Sequence, residues 1–166
     1  VAAKVLRTAA PAIGDPGEKL AEELVKLGVK VGADQAVRLR SLLFAPGNRG
    51  DVLAKLPRSG PDGVVLDLED AVPDAAKDDA RAVVKEAAAA LAADRAGPAV
   101  QVRVNAVPSD WFADDMAQAL IPGIAGVVVP KLESAEQVTA VANALDELGR
   151  SGRRDRFQIG PPCLRQ

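Results

Sequence analysis

Three short apolar runs in this chain each end in side chains that could do chemistry. Gly63-Val64-Val65-Leu66 runs into Asp67, Glu69 and Asp70, Ala99-Val100-Gln101-Val102 into Arg103 and Asn105, and Gly126-Val127-Val128-Val129 into Pro130-Lys131. Carboxylates at a strand end hold a hard cation, usually through waters, or orient a substrate. A guanidinium offers a planar fork that matches a carboxylate. An ammonium serves as a point charge for an anion or as a Schiff-base nucleophile. Gathered on one rim, these groups would suit an anionic substrate, with or without a metal. Each also has a plainer reading. Asp70 could cap a helix while Glu69 stands in solvent. Arg103 could pair internally with Asp67 or Glu69, a role compatible with binding. Lys131 could bridge to Glu133 or to a neighbouring strand. Phe44-x-Pro-Gly-x-Arg49 is a turn whose backbone N–H groups and Arg49 could hold phosphate, although Pro-Gly turns are common.

Uninterrupted apolar runs read as buried parallel strands, and ligands bind at the carboxyl ends of such strands. From Leu39 onward strand and helix patterns alternate. Leu42–Phe44 is the first expected strand, followed by a short helix over 51–56 that Pro57 and Gly60 close. Val64–Leu68 is the second. Asp74 is placed to cap a helix from about Ala75 to Ala93, with Ala80, Val83, Val84, Ala87 and Leu91 on its buried face. Val100–Val104 is the third strand, and Ser109 or Asp110 caps a helix through Leu120. Val127–Val129 is the fourth. Ser134 and Gln137 then stand at capping-box spacing, opening a helix with Val138, Val141, Leu145 and Leu148 on one face. Four strand–helix units of about 30 residues predict an α/β fold of βαβ construction. Phe157-Gln158-Ile159 sits where a fifth strand is due.

Residues 1–38 differ. Pro11, Gly14, Pro16 and Gly17 interrupt regular structure, and only Glu18–Leu27 has helical spacing. The expected organisation is an N-terminal extension with one short helix over 1–38, an α/β unit over 39–149, and a tail over 150–166. The extension's helix could alternatively bind a partner.

Composition excludes several functions. The 166 residues carry a formal charge of −2 with three Phe, one Trp and no Tyr, which leaves neither the charge nor the stacking surfaces for nucleic acid. Without histidine, Ser-His-Asp and Cys-His catalysis and His-ligated zinc are excluded within this chain. Acid–base work falls to carboxylates, lysines, water or a metal. The single Cys163 has no disulfide partner, no run approaches a membrane span, and Val1–Ala12 lacks a continuous apolar stretch. A cytoplasmic protein is the expectation.

Taken in order, five motifs carry a family resemblance: Leu43-Phe44-Ala45-Pro46-Gly47-Asn48-Arg49, Val65-Leu66-Asp67-Leu68-Glu69-Asp70-Ala71-Val72, Lys77-x-x-Ala80-Arg81, Val102-Arg103-Val104-Asn105 and Val129-Pro130-Lys131-x-Glu133-Ser134. Over about Leu39–Leu148 the chain resembles the N-terminal half of the citrate lyase β-subunit family, within the HpcH/HpaI aldolases and CoA-ester lyases. The resemblance implies a TIM-like (β/α) barrel, here about four βα units of an incomplete barrel. It also implies Mg²⁺-dependent cleavage or formation of a C–C bond in a 3-hydroxyacyl thioester of citryl, malyl or citramalyl type, carried on CoA or on an acyl carrier. Arg103 then falls at the arginine that holds the acid's carboxylate. Phe44, Arg49 and Lys55 fall at positions that contact the CoA moiety. Asp67, Glu69 and Asp70 line the metal site, acting through water or in support of the ligands, while Asn105 and Lys131 lie nearby. The family's direct metal ligands, in an Ile-Glu-Thr-like and a Gly-Ala-Glu-Asp-like segment, have no counterpart in this sequence. The resemblance thus implies a lyase impaired in isolation, or a non-catalytic remnant that binds an acyl-CoA or carboxylate, or a fragment completed by a partner chain. Four units fall short of the roughly 200–250 residues of a closed barrel. Their open strand edges predict an unstable, oligomeric or aggregating species unless another segment completes them.

Overall fold

Val64, Val65 and Leu66 are branched apolar side chains with nothing to offer water, and the fold buries them completely. They form the centre of β3 (Gly63–Asp67), an interior strand of a six-stranded sheet. The structure, a computed structural model, describes residues 4–5, 39–94, 96–150 and 158–159. The other strands are β1 (Lys4–Val5), β2 (Leu42–Pro46), β4 (Ala99–Arg103), β5 (Gly126–Val128) and β6 (Gln158–Ile159). They are ordered β1-β6-β5-β4-β3-β2, and every pairing is parallel. The helices are α1 (Gly50–Leu53), α2 (Lys77–Ala93), α3 (Phe112–Ala119) and α4 (Ala135–Arg150). The α/β architecture with four successive strand–helix units is as the sequence predicts. The sheet keeps β1 and β2 as edges, so among the described residues it does not close into a barrel.

Side chains alternate along each strand. Val64, Leu66, Leu68, Val100, Val102, Val104, Val127 and Val129 pack in one core with Ala80, Val84 and Ala88 of α2 and Val138, Val141 and Leu145 of α4. Val65, Asp67, Gln101 and Arg103 therefore take the opposite face. In the register Asp67 stands beside Arg103, and Arg103 beside Val128. That register sets the last residues of β3 and β4 at one level.

Several boundaries differ from the sequence reading, each for a local reason. β3, β4 and β5 lie one residue earlier than expected, so Asp67 and Arg103 are the last residues of their strands, with Leu68 and Val104 just beyond. The predicted helix over 51–56 is split into α1 and a 3₁₀ turn, Leu56–Ser59. Pro57 is the second residue of that turn and has no N–H with which to continue the α-helix. Asp74 does not cap α2. A 3₁₀ turn, Asp74–Ala76, precedes it, and Asp78 and Asp79 supply the acidic first turn that the helix dipole favours. Neither Ser109 nor Asp110 caps α3, which begins at Phe112, and the Ser109 hydroxyl instead donates to the Ala106 carbonyl at 2.7 Å. Ser134 does bond the Gln137 N–H at 3.3 Å, but the Gln137 amide oxygen accepts from the Glu133 N–H at 2.7 Å, one residue upstream of the expected partner. β6 continues the parallel sheet where the fifth strand is due. β1 beside it was not legible, because two residues carry no periodicity. The expected Glu18–Leu27 helix and Cys163 lie outside the described residues.

Two contacts fix β2 on β3. The loop after β2 returns so close to β3 that the Gly47 N–H donates to the Asp67 carbonyl at 2.7 Å, and a Cβ at Gly47 would meet that oxygen at 2.6 Å. At the other end Asp62 accepts from the Arg40 and Ser41 backbone N–H groups at 2.8 and 3.0 Å and pairs with the Arg40 guanidinium. The Arg40 hydrogen bond holds the Asp62 carboxyl well below its ordinary value of 3.8. A carboxyl depressed on folding adds stability that is complete above its ordinary value and is lost as pH falls below it. The stability difference between the wild type and Asp62→Asn in urea titrations should accordingly shrink steadily from pH 5 to pH 3. A difference that stays constant would rule this out.

Candidate functional site

Asp67 is almost wholly buried yet charged, so its lone pairs need donors. It has four. Arg103 approaches edge-on, Nε to Oδ1 at 2.8 Å and Nη2 to Oδ2 at 2.6 Å. The Glu69 and Ala71 N–H groups add bonds at 2.8 and 3.1 Å. The fork thus fixes the guanidinium plane while the backbone bonds fix the carboxylate. The Asp67 hydrogen bonds raise the already high Arg103 pKa further, so this group is a permanent cation. Phe44, half exposed on the edge strand, lies under the guanidinium at 5.6 Å.

The remaining edge of Arg103 turns to the other two carboxylates. Nη1 lies 3.1 Å from Glu69 Oε2 and 3.5 Å from Asp70 Oδ2. Lys131, from the end of the next strand, places Nζ 2.6 Å from Glu69 Oε1 and 3.3 Å from Asp70 Oδ1. Glu69 is buried, which corrects the plainer reading that it stands in solvent. Its contacts are ion pairs without well-aligned hydrogen bonds. Glu69 and then Asp70 raise the Lys131 pKa above its ordinary value. Lys131 has φ +53, the left-handed region that a side chain seldom adopts without compensation. The turn that this produces delivers its ammonium to the carboxylates.

Asn105 plays a different part. It donates from Nδ2 to the Leu68 carbonyl at 2.9 Å and to Asp115 Oδ2 at 2.6 Å, while its Oδ1 accepts from Lys77 Nζ at 2.8 Å. Asp115, fully buried, also accepts from the Asn105 N–H at 2.9 Å and from Arg81 Nε at 2.7 Å. An open cavity of about 530 Å³ runs beside the rim, and Glu69, Asp70, Lys77, Asn105, Trp111 and Lys131 are among its walls.

The structure therefore gathers Asp67, Glu69, Asp70, Arg103, Lys131 and Phe44, with Asn105 just beneath. Arg49 and Lys55 stand outside this cluster. Arg49 is exposed and forks onto Asp51 at 2.9 and 3.1 Å, and Lys55 is exposed in the turn after α1. Lys77 and Arg81 were not singled out as site residues beyond their place in a motif, and Asp115 was not singled out at all. A signal for them existed. Lys77 and Arg81 share the stripe of Ala80 and Val84, and Asp115 shares that of Phe112, Met116 and Ala119. A charge on an apolar stripe must be paired inside.

With this geometry in view, the sequence profile of the HpcH/HpaI aldolase/citrate lyase family matches residues 40–160. The chain belongs to that family. Its match extends past Leu148 and through β6. A citrate lyase subunit beta-like protein of Deinococcus radiodurans is 56% identical over 111 residues, covering 66% of this chain and 39% of the relative. A (3S)-malyl-CoA thioesterase of Cereibacter sphaeroides is 33% identical over 116 residues, 70% of this chain and 40% of the relative. Among solved structures, the citrate lyase beta subunit of M. tuberculosis complexed with oxaloacetate and magnesium superposes with a TM-score of 0.52 at 30% identity, over 72% of this chain and 45% of that one. CitE of M. tuberculosis with magnesium, acetoacetate and coenzyme A gives 0.53 at 31%, over 74% and 39%. The chain spans about two fifths of the length of the curated relatives it matches. Magnesium accompanies these structural neighbours, but the described residues do not by themselves fit it. Asp67 is saturated by four donors, Glu69 is wedged between two cations, and no group of three or more candidate ligands forms among them. A hard cation wants about six oxygens.

Proposed function

We propose that this chain supplies the substrate-carboxylate side of a lyase that breaks or forms a C–C bond in a 3-hydroxyacyl-CoA of citryl, malyl or citramalyl type. One observation carries the reading. Two cations from adjacent strand ends, Arg103 and Lys131, are bridged beside an open cavity by Asp70, a carboxylate that is 61% exposed and contacts them at 3.5 and 3.3 Å. A substrate carboxylate is the same chemical group, and it would take the place of Asp70 while Asp67 keeps the fork aligned. Orientation of this kind precedes cleavage. In the cleavage the 3-hydroxyl loses its proton, its carbon becomes a carbonyl as the C2–C3 bond breaks, and the electron pair passes to the thioester enolate, which is then protonated. Phe44, Arg49 and Lys55 are the proposed contacts of the CoA moiety, and a cytoplasmic setting suits such a substrate. The exposed Leu42 and Phe44 on edge strand β2 support completion by an oligomer partner or a further chain.

The poor fit to Mg²⁺ favours a second reading, a non-catalytic module that keeps the carboxylate site without the metal. Calorimetry with oxaloacetate, acetyl-CoA and Mg²⁺ separates the two. Turnover, or oxaloacetate binding strengthened by Mg²⁺, supports the lyase, and binding indifferent to Mg²⁺ supports the module. Equal affinity in Arg103→Met, or no binding of either ligand, would exclude both.

A further inference from the structure

Lys77 lies in the first turn of α2, lines the cavity, and is only 4% exposed. An ammonium has three N–H donors. All three are committed: to the Leu68 carbonyl at 3.0 Å, to the Glu69 carbonyl at 2.8 Å and to Asn105 Oδ1 at 2.8 Å. The Trp111 ring covers the same group at 5.1 Å. With no donor left, Lys77 cannot be a substrate-binding cation, although it sits in the cavity wall. What it grips is the backbone of the two residues that follow Asp67. Fixing two successive carbonyls fixes the direction in which the Glu69 side chain leaves that backbone. Asn105 braces the same Leu68 carbonyl, and Asp115 with Arg81 braces Asn105.

We infer that Lys77 is a positioning residue, whose ammonium locks the Leu68–Glu69 backbone so that Glu69 meets both Arg103 and Lys131. The placement stands on contacts alone, and its consequence for substrate binding rests on the function proposed above. Two kinds of measurement keep these apart. The first follows the Lys131 ammonium in protein labelled with ¹³C at lysine Cε. Lys77→Met is compared with Leu91→Ala, which opens the core at the far end of α2, about 21 Å along the helix axis. In Lys77→Met the Lys131 pKa should fall toward its ordinary value, because Glu69 is released; in Leu91→Ala it should stay raised. The second is oxaloacetate affinity, which should drop tenfold or more in Lys77→Met and less than twofold in Leu91→Ala. A fallen Lys131 pKa with no oxaloacetate binding by any form upholds the positioning and removes the functional reading. An unmoved Lys131 pKa in folded Lys77→Met overturns the inference. Should that variant fail to fold, the wild type decides: Lys77 ammonium protons that exchange as fast as those of a surface lysine overturn the inference, and protected protons uphold it.

Discussion

Asp67→Ala is expected to lower stability by about 3 kcal/mol and to weaken oxaloacetate binding at least tenfold. Removing one partner of a buried ion pair leaves the other charge uncompensated, which costs about 3–5 kcal/mol. The low end applies because Arg103 would retain Glu69 and Asp70. The Glu69 and Ala71 N–H groups would lose their acceptor as well. The guanidinium would then rotate toward Glu69, and the aligned fork would be gone. Arg103→Met in the Asp67→Ala background should recover much of the stability, since a buried pair can be replaced by apolar groups at little cost. A coupling energy of about 2 kcal/mol in the double-mutant cycle, from urea unfolding, is the expected result. Additive effects would mean that the pair does not act as a unit. Recovery of stability without recovery of binding would separate the fold's use of Arg103 from the site's.

Asp115→Ala should be the most destabilising single change, by about 4 kcal/mol. Asp115 has no exposed surface and joins three elements: Arg81 on α2, its own α3, and the Asn105 segment after β4. Without it the Asn105 N–H and one Asn105 amide proton lose their acceptor, each a penalty of about 1–3 kcal/mol. Arg81 would keep only Asp78, 83% exposed, and a 4.0 Å contact with Asp114. Asp115→Asn, which keeps one acceptor, should lose about half as much. Urea unfolding and amide exchange at Asn105 check this together. A loss under 1 kcal/mol for the alanine variant would show that water replaces the carboxylate.

The sequence by itself determined the frame. Largely apolar runs at 64–66, 100–102 and 127–129, broken only by Gln101, with helical periodicity between them, point to buried parallel strands, because a strand covered on both faces carries few polar residues. The five ordered motifs determined the family. The chemical types at the strand ends were also legible, since Asp67, Arg103 and Lys131 interrupt those runs where ligands bind. Tertiary structure decided which groups meet. The register of β3 on β4 sets Asp67 beside Arg103, and a left-handed Lys131 swings its ammonium over Glu69, facts of hydrogen-bond pairing and backbone angle that no local pattern encodes. It also decided that Glu69 is buried, that Asp67 is already saturated, and that Lys77 works on backbone carbonyls. Each depends on at least one partner 8 to 62 residues away in the chain, although Asp67 also takes two donors from within four residues. Short-range periodicity reports which face is apolar. It cannot report which distant donor reaches which acceptor, and here that pairing separates a metal ligand from a clamp.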